Sequence, residues 1–361
     1  MKILSYHGYK STGVGGVEVL IRQFHRIFKK HDFIEVYSDV YGEAHCSDEY
    51  ENKRFLLNDG PVKFFSKIAR KINLFLYLMK VRPDVIIVYS PAALLSVPFL
   101  FRKIKAIVVQ TNSFDRVFAS PAARLGMLLF KRRIYAYTVY TESDKNNLID
   151  LYHDISEQIN VIPRGCRLDT ICRKKTDNIV TERKKLVTIA RIEEKQKNFS
   201  TMISIVEELG DNYSLDIYGD GEISEVLQLK ERIKNSTRIR YLGAATDVKK
   251  ILSEYAVFLI TSTFEGFGQT LIEARSQGLP IVGFDTYPSF RWIVDDGVNG
   301  YAVKYGDNSS FISAIKRITD NETTYSMFSL AALIKAKETE MSYVDDLWLA
   351  LIEKINEGKC S

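Results

Sequence analysis

Thr263-Phe264-Glu265-Gly266-Phe267-Gly268-Gln269-Thr270-Leu271-Ile272-Glu273-Ala274 decides the fold of this 361-residue chain. Ahead of it, Val257-Phe258-Leu259-Ile260 is a short apolar run that predicts a buried strand. Behind it, Thr270 to Gln277 predicts a helix stopped by Gly278 and Pro280. Gly266 and Gly268 therefore fall where a strand turns into a helix, and a turn without Cβ atoms lets a ligand approach the backbone. Free amides at a helix N-terminus attract an anion, most often a phosphate. Glu265 precedes the helix and Glu273 lies about a turn inside it. Helical side chains lean toward the N-terminus, so both carboxylates are expected to reach one bound molecule. A carboxylate accepts hydrogen bonds from hydroxyls. Gly266, Phe267, Gly268, Gln269 and Thr270 between the two glutamates thus describe a phosphate cradle flanked by hydroxyl acceptors, which suits a sugar nucleotide. The competing reading is a plain strand-to-helix turn with surface glutamates.

Outward from this stretch, strand-like and helix-like segments alternate, the signature of parallel α/β sheets. In the first half, the strand Ile3 to Tyr6 is followed by Gly13-Val14-Gly15-Gly16 and a helix from Val17 to Lys30. Strands are expected at Ile34 to Tyr37, Val85 to Tyr89, Ala106 to Val109, Val139-Tyr140 and Asn160 to Ile162. Between them fall helices near Val62 to Lys80, from Ser120-Pro121 to Arg133, and after a Ser143 cap. From Arg164 to Lys185 the hydrophobic period lapses and charge rises, as in a linker. Strands then resume at Leu186 to Ala190, Leu215 to Tyr218, Ile239 to Leu242, Val257 to Ile260 and Ile281-Val282, with helices between. The expected architecture is two doubly wound Rossmann-like domains facing each other across a cleft. Residues 1–165 form the first, 166–185 the linker, 186–343 the second, and 344–361 a terminal helix. Ligands bind outside the carboxyl ends of such strands.

Two further segments lie at strand ends. Arg191 follows the strand Leu186 to Ala190, and Lys197 comes six residues later. A guanidinium offers planar bidentate contacts and an ammonium a point charge, a pairing suited to a diphosphate. Lys195 competes with Lys197, which ranks first because Lys197-Asn198 opens the next helix; a solvated Lys/Glu loop is the alternative. Asp216-Ile217-Tyr218-Gly219-Asp220-Gly221 ends another strand in glycines, where Gly219 either borders a nucleotide base or serves only the turn. Gly13-Val14-Gly15-Gly16 is no dinucleotide fingerprint and, taken alone, is equally a tight turn.

Composition bounds the rest. A hydrophobic content of 46% suffices for full cores, and the net charge is +5. Between Pro61 and Arg133 there are 14 Lys/Arg against two acids, Asp84 and Asp115, so the excess of positive charge is concentrated there. Such segregation suggests an anionic partner surface. Lys63, Lys67, Arg70 and Lys71 share one helical face, and Phe65, Ile68, Ile72, Phe75 and Met79 another, expected toward the core. Cys46, Cys166, Cys172 and Cys360 form no CxxC pair and read as free thiols in a reducing compartment. Five histidines show no metal spacing; most are expected at the surface, with His7 alone placed to face the cleft. The apolar run Val85 to Phe101 is interrupted by Pro91 and Pro98, so a strand and a helix are expected there and not a membrane span. With no signal peptide at Met1-Lys2-Ile3-Leu4, a cytoplasmic protein is expected.

The Glu265–Glu273 segment resembles the Glu-x7-Glu motif of the GT-B retaining glycosyltransferases, family 4, in its strand, Gly-Phe-Gly turn and helix. Arg191 and Lys197 resemble that family's diphosphate pair, and Gly13 to Gly16 its glycine loop. The resemblance runs through the whole chain in motif order. It implies Arg191, Lys197 and Glu265 as catalytic residues. It further implies Gly16, Asn112, Gly219, Gly266, Phe267, Gly268, Gln269, Thr270 and Glu273 as donor-binding, with Glu265 on sugar hydroxyls and Glu273 on the ribose. It also implies a terminal helix that crosses back to the first domain. Asn112 stands where many members carry a His, so a titrating group is missing from that position. No Asp-x-Asp occurs, which agrees with a transferase that needs no metal and no other cofactor. The implied partners are a nucleotide-sugar donor, with UDP the commonest choice, a glycan or lipid-linked acceptor, and an anionic membrane surface on the inner face of the cell; nucleic acid is not expected. A GT-B sugar-nucleotide epimerase and a non-enzymatic polyanion-binding protein are the alternatives.

Overall fold

A computed structural model describes residues 1–13, 16–39, 53–57, 67–97, 104–171 and 184–357. The chain divides into two compact units, Met1–Pro163 with Asp345–Ser361, and Arg164–Val344.

The first unit is built on a seven-stranded parallel sheet. Its strands are β1 (Lys2–Tyr9), β2 (Asp32–Asp39), β3 (Arg54–Leu56), β4 (Val85–Val88), β5 (Lys105–Val109), β6 (Ile134–Val139) and β7 (Ile159–Val161), in the order β3-β2-β1-β4-β5-β6-β7. The second unit carries a six-stranded parallel sheet. It comprises β8 (Lys185–Ile189), β9 (Ser214–Tyr218), β10 (Ile239–Tyr241), β11 (Val257–Ile260), β12 (Ile281–Phe284) and β13 (Gly300–Val303), in the order β10-β9-β8-β11-β12-β13. Both are doubly wound: the chain runs outward one way, returns to the centre, and runs outward the other way. The reversal puts a crevice outside the carboxyl ends of β1 and β4 in one sheet and of β8 and β11 in the other. Central strands such as Val85-Ile86-Ile87-Val88 and Val257-Phe258-Leu259-Ile260 are buried throughout, as parallel strands covered on both faces must be. The expected fold class is therefore present in both units.

Several local expectations shift. β3 and β13 were not foreseen, nor were the helices Pro288–Ile293, Asn308–Thr319 and Glu322–Ala336. β13 is short and begins at Gly300, where a Cβ would lie 2.1 Å from the Ile281 carbonyl oxygen of the adjacent strand. Thr141, not Ser143, caps the helix Glu142–Leu151, its hydroxyl accepting from the Asp144 amide at 3.0 Å. The helix after Ser120 ends at Phe130, and β6 starts at Ile134 instead of Val139. The helix Lys67–Val81 turns a different face inward than its apolar period suggests. Ala69, Asn73, Leu74 and Leu78 are buried, while Ile72, Leu76 and Met79 are exposed. Asn73 can be buried because its Nδ2 donates to the Leu57 carbonyl at 2.9 Å. Lys63 and Phe65 lie outside the described residues, as do the side chains of Lys67 and Ile68, Arg102-Lys103, His45, Cys46, Cys172 and Cys360. Cys166 is a buried free thiol.

Residues 164–171, largely expected as linker, are tied into the second unit: the Cys166 amide donates to Thr339 at 2.7 Å and the Ile171 amide to Ser276 at 3.1 Å. Residues 172–183 of that linker lie outside the described residues. The last helix, Met341–Glu357, belongs to the first unit from Asp345 onward. There Trp348 packs edge-on against Phe24 at 4.8 Å, Gln23 donates to Asp345 at 2.8 Å, and Lys105 donates to the Ile355 carbonyl at 3.1 Å. Among the described residues no helix is long and apolar enough to cross a membrane.

Candidate functional site

In the second unit the singled-out residues gather at the reversal point, on the loops that leave β8 and β11. Ala190, Arg191 and Ile192 lie against the end of β9, with the Ala190 amide donating to Tyr218 at 2.9 Å and the Ile192 amide to Asp220 at 2.8 Å. This close approach requires glycine twice. A Cβ on Gly219 would stand 1.8 Å from the Ala190 carbonyl oxygen, and one on Gly221 2.2 Å from that of Ile192. Gly219 thus has a full structural reason, and its effect on the site is to fix the backbone that presents Arg191.

The Arg191 side chain is exposed, pairing with Glu193 at 3.2 Å and donating through Nη2 to Gln196 Oε1 at 3.2 Å. Gln196 is buried; its Nε2 donates to the Phe264 carbonyl at 3.0 Å and reaches Glu265 Oε2 at 3.4 Å. Next in the chain, Lys197 forms an ion pair with Glu265 Oε1, which also accepts from Ser262 Oγ at 2.8 Å. Lys195, the rival of Lys197, is exposed, and among the described residues no carboxylate pairs with it. Asn198 takes the left-handed conformation (φ 53°), which Asn tolerates better than most residues, and so lets the chain turn from Lys197 into the helix Phe199–Leu209. The two loops are stitched together by the Thr263 amide to the Gln196 carbonyl (2.8 Å) and Thr261 Oγ1 to the Lys197 carbonyl (2.7 Å). Arg191, Gln196, Lys197 and Glu265 therefore form one connected cluster in which Glu265 Oε1 accepts from both Lys197 and Ser262 while, among the described residues, Oε2 meets only the long Gln196 amide contact.

Gly268 (φ 102°) ends the turn and is the N-cap of the helix Gln269–Ser276, whose first amides have no intrahelical acceptor. Gly266 and Thr270 are half-buried around this turn. Phe267 is buried, with its ring 5.6 Å from that of Trp292, so its contribution is to anchor the loop. Glu273 is 1% exposed. Its Oε1 accepts from Arg167 Nε at 2.5 Å and from Gln269 Nε2 at 3.4 Å, and Gln269 also donates to the Gly165 carbonyl at 3.2 Å. Glu273 Oε2 is buried and, among the described residues, without a hydrogen-bond partner. A buried carboxylate oxygen left unmatched is costly, and an ordered water or a ligand hydroxyl would supply the missing donor.

Four neighbours were not foreseen. Gln196 and Ser262 flank the motif residues, but a lone Gln or Ser carries no pattern. Arg167 sits in the stretch read as linker. Tyr287 has a fully buried hydroxyl without a partner among the described residues; burial, then the nearby charge of Glu265, pushes its phenol well above the usual tyrosine range.

In the first unit, Gly16 opens the helix Gly16–Ile27 at an exposed position after β1; Val14 and Gly15 lie outside the described residues. The segment leading to it is held from below. Ser11 donates to Glu35 through its amide and its hydroxyl, both at 2.7 Å, while Arg54 Nε (2.8 Å) and His25 Nε2 (3.2 Å) contact the same carboxylate. Arg22 donates to the carbonyls of Ser11 and Gly13. Burial pushes the Glu35 carboxyl up, but the hydrogen bonds from His25, Ser11 and Arg54 outweigh it and hold it at about 2. Most of the histidines are expected at the surface, but His25 is buried in this network, and burial lowers its pKa against the pull of Glu35. His7 lies near the end of β1, its ring 5.5 Å from Tyr89. Asn112 follows β5 and uses its Oδ1 on the Ser113 amide at 2.9 Å, which leaves Nδ2 as the group it can offer. Among the described residues no three His, Cys, Asp or Glu side chains converge as a metal site would require.

Residues 183–321, which hold this cluster, match the family model described as Glycosyl transferases group 1. The GtfA subunit of a UDP-N-acetylglucosamine–peptide N-acetylglucosaminyltransferase from Streptococcus gordonii is 32% identical over 180 residues, 48% of this chain and 34% of that protein. The chain thus matches about a third of that relative's length. The amylovoran biosynthesis glycosyltransferase AmsD of Erwinia amylovora is 24% identical over 88% of this chain and 90% of its own. Among solved structures, Anabaena Alr3699/HepE in complex with UDP superposes with a TM-score of 0.79 at 15% identity, covering 98% of this chain and all of that one (100%). The second unit accordingly carries a domain matching glycosyl transferases group 1, on a chain whose two Rossmann-like units are of the GT-B fold class.

Proposed function

We infer that this protein transfers a sugar from a nucleotide-diphosphate sugar, with UDP the favoured nucleotide, to a hydroxyl of a glycan or lipid-linked acceptor in bacterial surface polysaccharide assembly. The observation that carries this reading is the pairing of a cation cluster with two differently prepared carboxylates around one helix N-terminus. Arg191, Lys197 and the amides beyond Gly268 supply positive potential for a diphosphate, and would take up the negative charge that grows on it as it leaves. Among the described residues, Glu265 Oε2 and Glu273 Oε2 are carboxylate oxygens still open to hydroxyls, one beside the cations and one deeper in the helix. Glu265 suits the sugar and Glu273 the ribose. In the reaction the bond between the anomeric carbon and the diphosphate oxygen breaks, the acceptor oxygen bonds to that carbon, and the acceptor proton is released. Donors of the relatives' kind, UDP-linked hexose or N-acetylhexosamine, suit this arrangement, and retention of anomeric configuration with no metal requirement is part of the proposal.

Calorimetric titration of UDP- and GDP-sugars in the presence of a chelator, on wild type and Arg191→Ala, tests it. One donor should bind, and the variant should bind it about tenfold or more weakly, as expected for loss of a charge-assisted hydrogen bond. No binding by any sugar nucleotide would overturn the proposal, and binding abolished by the chelator would remove its metal-free part.

A further inference from the structure

Tyr287 carries a buried hydroxyl that, among the described residues, the fold of the second unit leaves unmatched. The residue follows β12 and is the N-cap of the short helix Pro288–Ile293. Both ends of this segment are fixed to the motif turn. At its start, Thr286 Oγ1 donates to the Ser262 carbonyl at 2.7 Å, and Ser262 Oγ in turn donates to Glu265 Oε1 at 2.8 Å. At its end, the Trp292 ring lies 5.6 Å from that of Phe267, and a Cβ on Gly268 would meet Ile293 at 3.3 Å. Tyr287 is thereby held beside Glu265. It is 5% exposed, with its ring edge-on to Phe290 at 5.7 Å.

The phenol and the carboxylate are near each other but not bonded. The charge of Glu265 reaches the Tyr287 phenol. Yet the hydrogen-bond partners of Glu265 among the described residues are Lys197, Ser262 and, at 3.4 Å to Oε2, Gln196. One side of the gap therefore offers a hydroxyl proton and the other a carboxylate oxygen that only accepts. A group that fits between them accepts from the first and donates to the second. A hydroxyl does both, whereas an ether oxygen or a fluorine only accepts and an amide N–H only donates. We propose that Tyr287 Oη and Glu265 Oε2 together grip one hydroxyl of the donor sugar, Tyr287 donating to it and Glu265 accepting from it, which makes Tyr287 a specificity-determining residue. This rests on the sugar-nucleotide reading of the site and adds a requirement to it: the gripped carbon of the sugar carries a free hydroxyl, so a donor that is deoxygenated or acylated there is discriminated against.

Calorimetric Kd values on wild type and Tyr287→Phe test the proposal, with UDP, UDP-glucose, UDP-galactose and UDP-N-acetylglucosamine as ligands. The variant should bind UDP as wild type does, and bind the accepted sugar nucleotide roughly three- to tenfold more weakly, as for loss of one neutral hydrogen bond. Among the monodeoxy forms of that donor, the one lacking the gripped hydroxyl should bind both proteins equally. Removing a hydroxyl that has no protein partner costs the free protein nothing, so the unliganded variant should melt at or above the wild-type temperature. Melting several degrees lower would show that the hydroxyl is already satisfied in the free protein by an ordered water, and would overturn the proposal. Equal affinity of both proteins for the sugar nucleotide, or a loss of the same size for UDP alone, would also overturn it while leaving the transfer reading intact. A wild type that binds no sugar nucleotide would bring down that reading and this assignment together.

Discussion

Replacing Glu273 by Gln keeps the volume and one carbonyl oxygen at a 1% exposed position but removes the charge that awaits a donor at Oε2. Oε1 is already committed to Arg167 and Gln269, so the unmatched Oε2 is the atom through which a ribose hydroxyl would bind. A hydrogen bond to a charged acceptor contributes about 1.5–3 kcal/mol, so Glu273→Gln should weaken UDP binding by roughly 10- to 100-fold. The decisive assay is a cycle: calorimetric Kd values for UDP and for its 2′- and 3′-deoxy analogues, on wild type and Glu273→Gln. Wild type should lose affinity when the contacted hydroxyl is removed, and the variant should lose much less, because its partner is already impaired. Equal losses on both proteins would refute the assignment of Glu273 to the ribose. A variant that binds UDP as tightly as wild type would refute any role for Oε2 in nucleotide binding.

Two further outcomes follow from the packing. Glu35→Gln strips the carboxylate from Arg54, whose side chain is 2% exposed, and should cost about 3–5 kcal/mol at neutral pH. Urea unfolding followed by Trp348 fluorescence in a Trp292→Phe background reads this from the first unit alone. Because the Glu35 carboxyl is held at about 2 against an ordinary 4.5, its stabilisation is complete above the ordinary value and lost as pH falls toward the lower one. The gap between wild type and variant should therefore narrow by about 3 kcal/mol over that window; a gap independent of pH would show that Glu35 is not the group responsible. Gly219→Ala drives a methyl into the Ala190 carbonyl, 1.8 Å away, and should destabilise the second unit by at least about 2 kcal/mol. A melting temperature within a degree or so of wild type would mean that the loop carrying Arg191 relaxes freely.

Much of the fold was legible because the signals are local. Val257–Ile260 followed by Gly266, Gly268 and a helix that stops before Gly278 can be read without knowing any partner, since strand, turn and helix preferences act within a few residues. The same locality explains the misreadings. On the helix Lys67–Val81 the apolar period indicated Ile72 and Met79 as core, yet Asn73 is buried because the Leu57 carbonyl receives its amide across 16 residues of sequence. Most histidines are expected at the surface, and no local signal in the sequence singles out His25 as the one that Glu35 and Arg54 hold inside. Thr141 displaced Ser143 as a cap because both residue types can cap, and only the backbone angles choose.

At the site, the sequence by itself determined the chemical types present: two carboxylates, a glycine turn, an arginine and a lysine, all at strand ends. What each is prepared to do was decided by tertiary structure. Lys197 became the partner of Glu265 because pairing of β8 with β11 brings residues 68 apart in sequence into contact. Arg167, more than a hundred residues before Glu273, saturates one of its oxygens and leaves the other open. Turns and strands are short-range consequences of backbone sterics and side-chain period. The charge state, hydrogen bonding and exposure of a functional group depend on neighbours that only folding assembles.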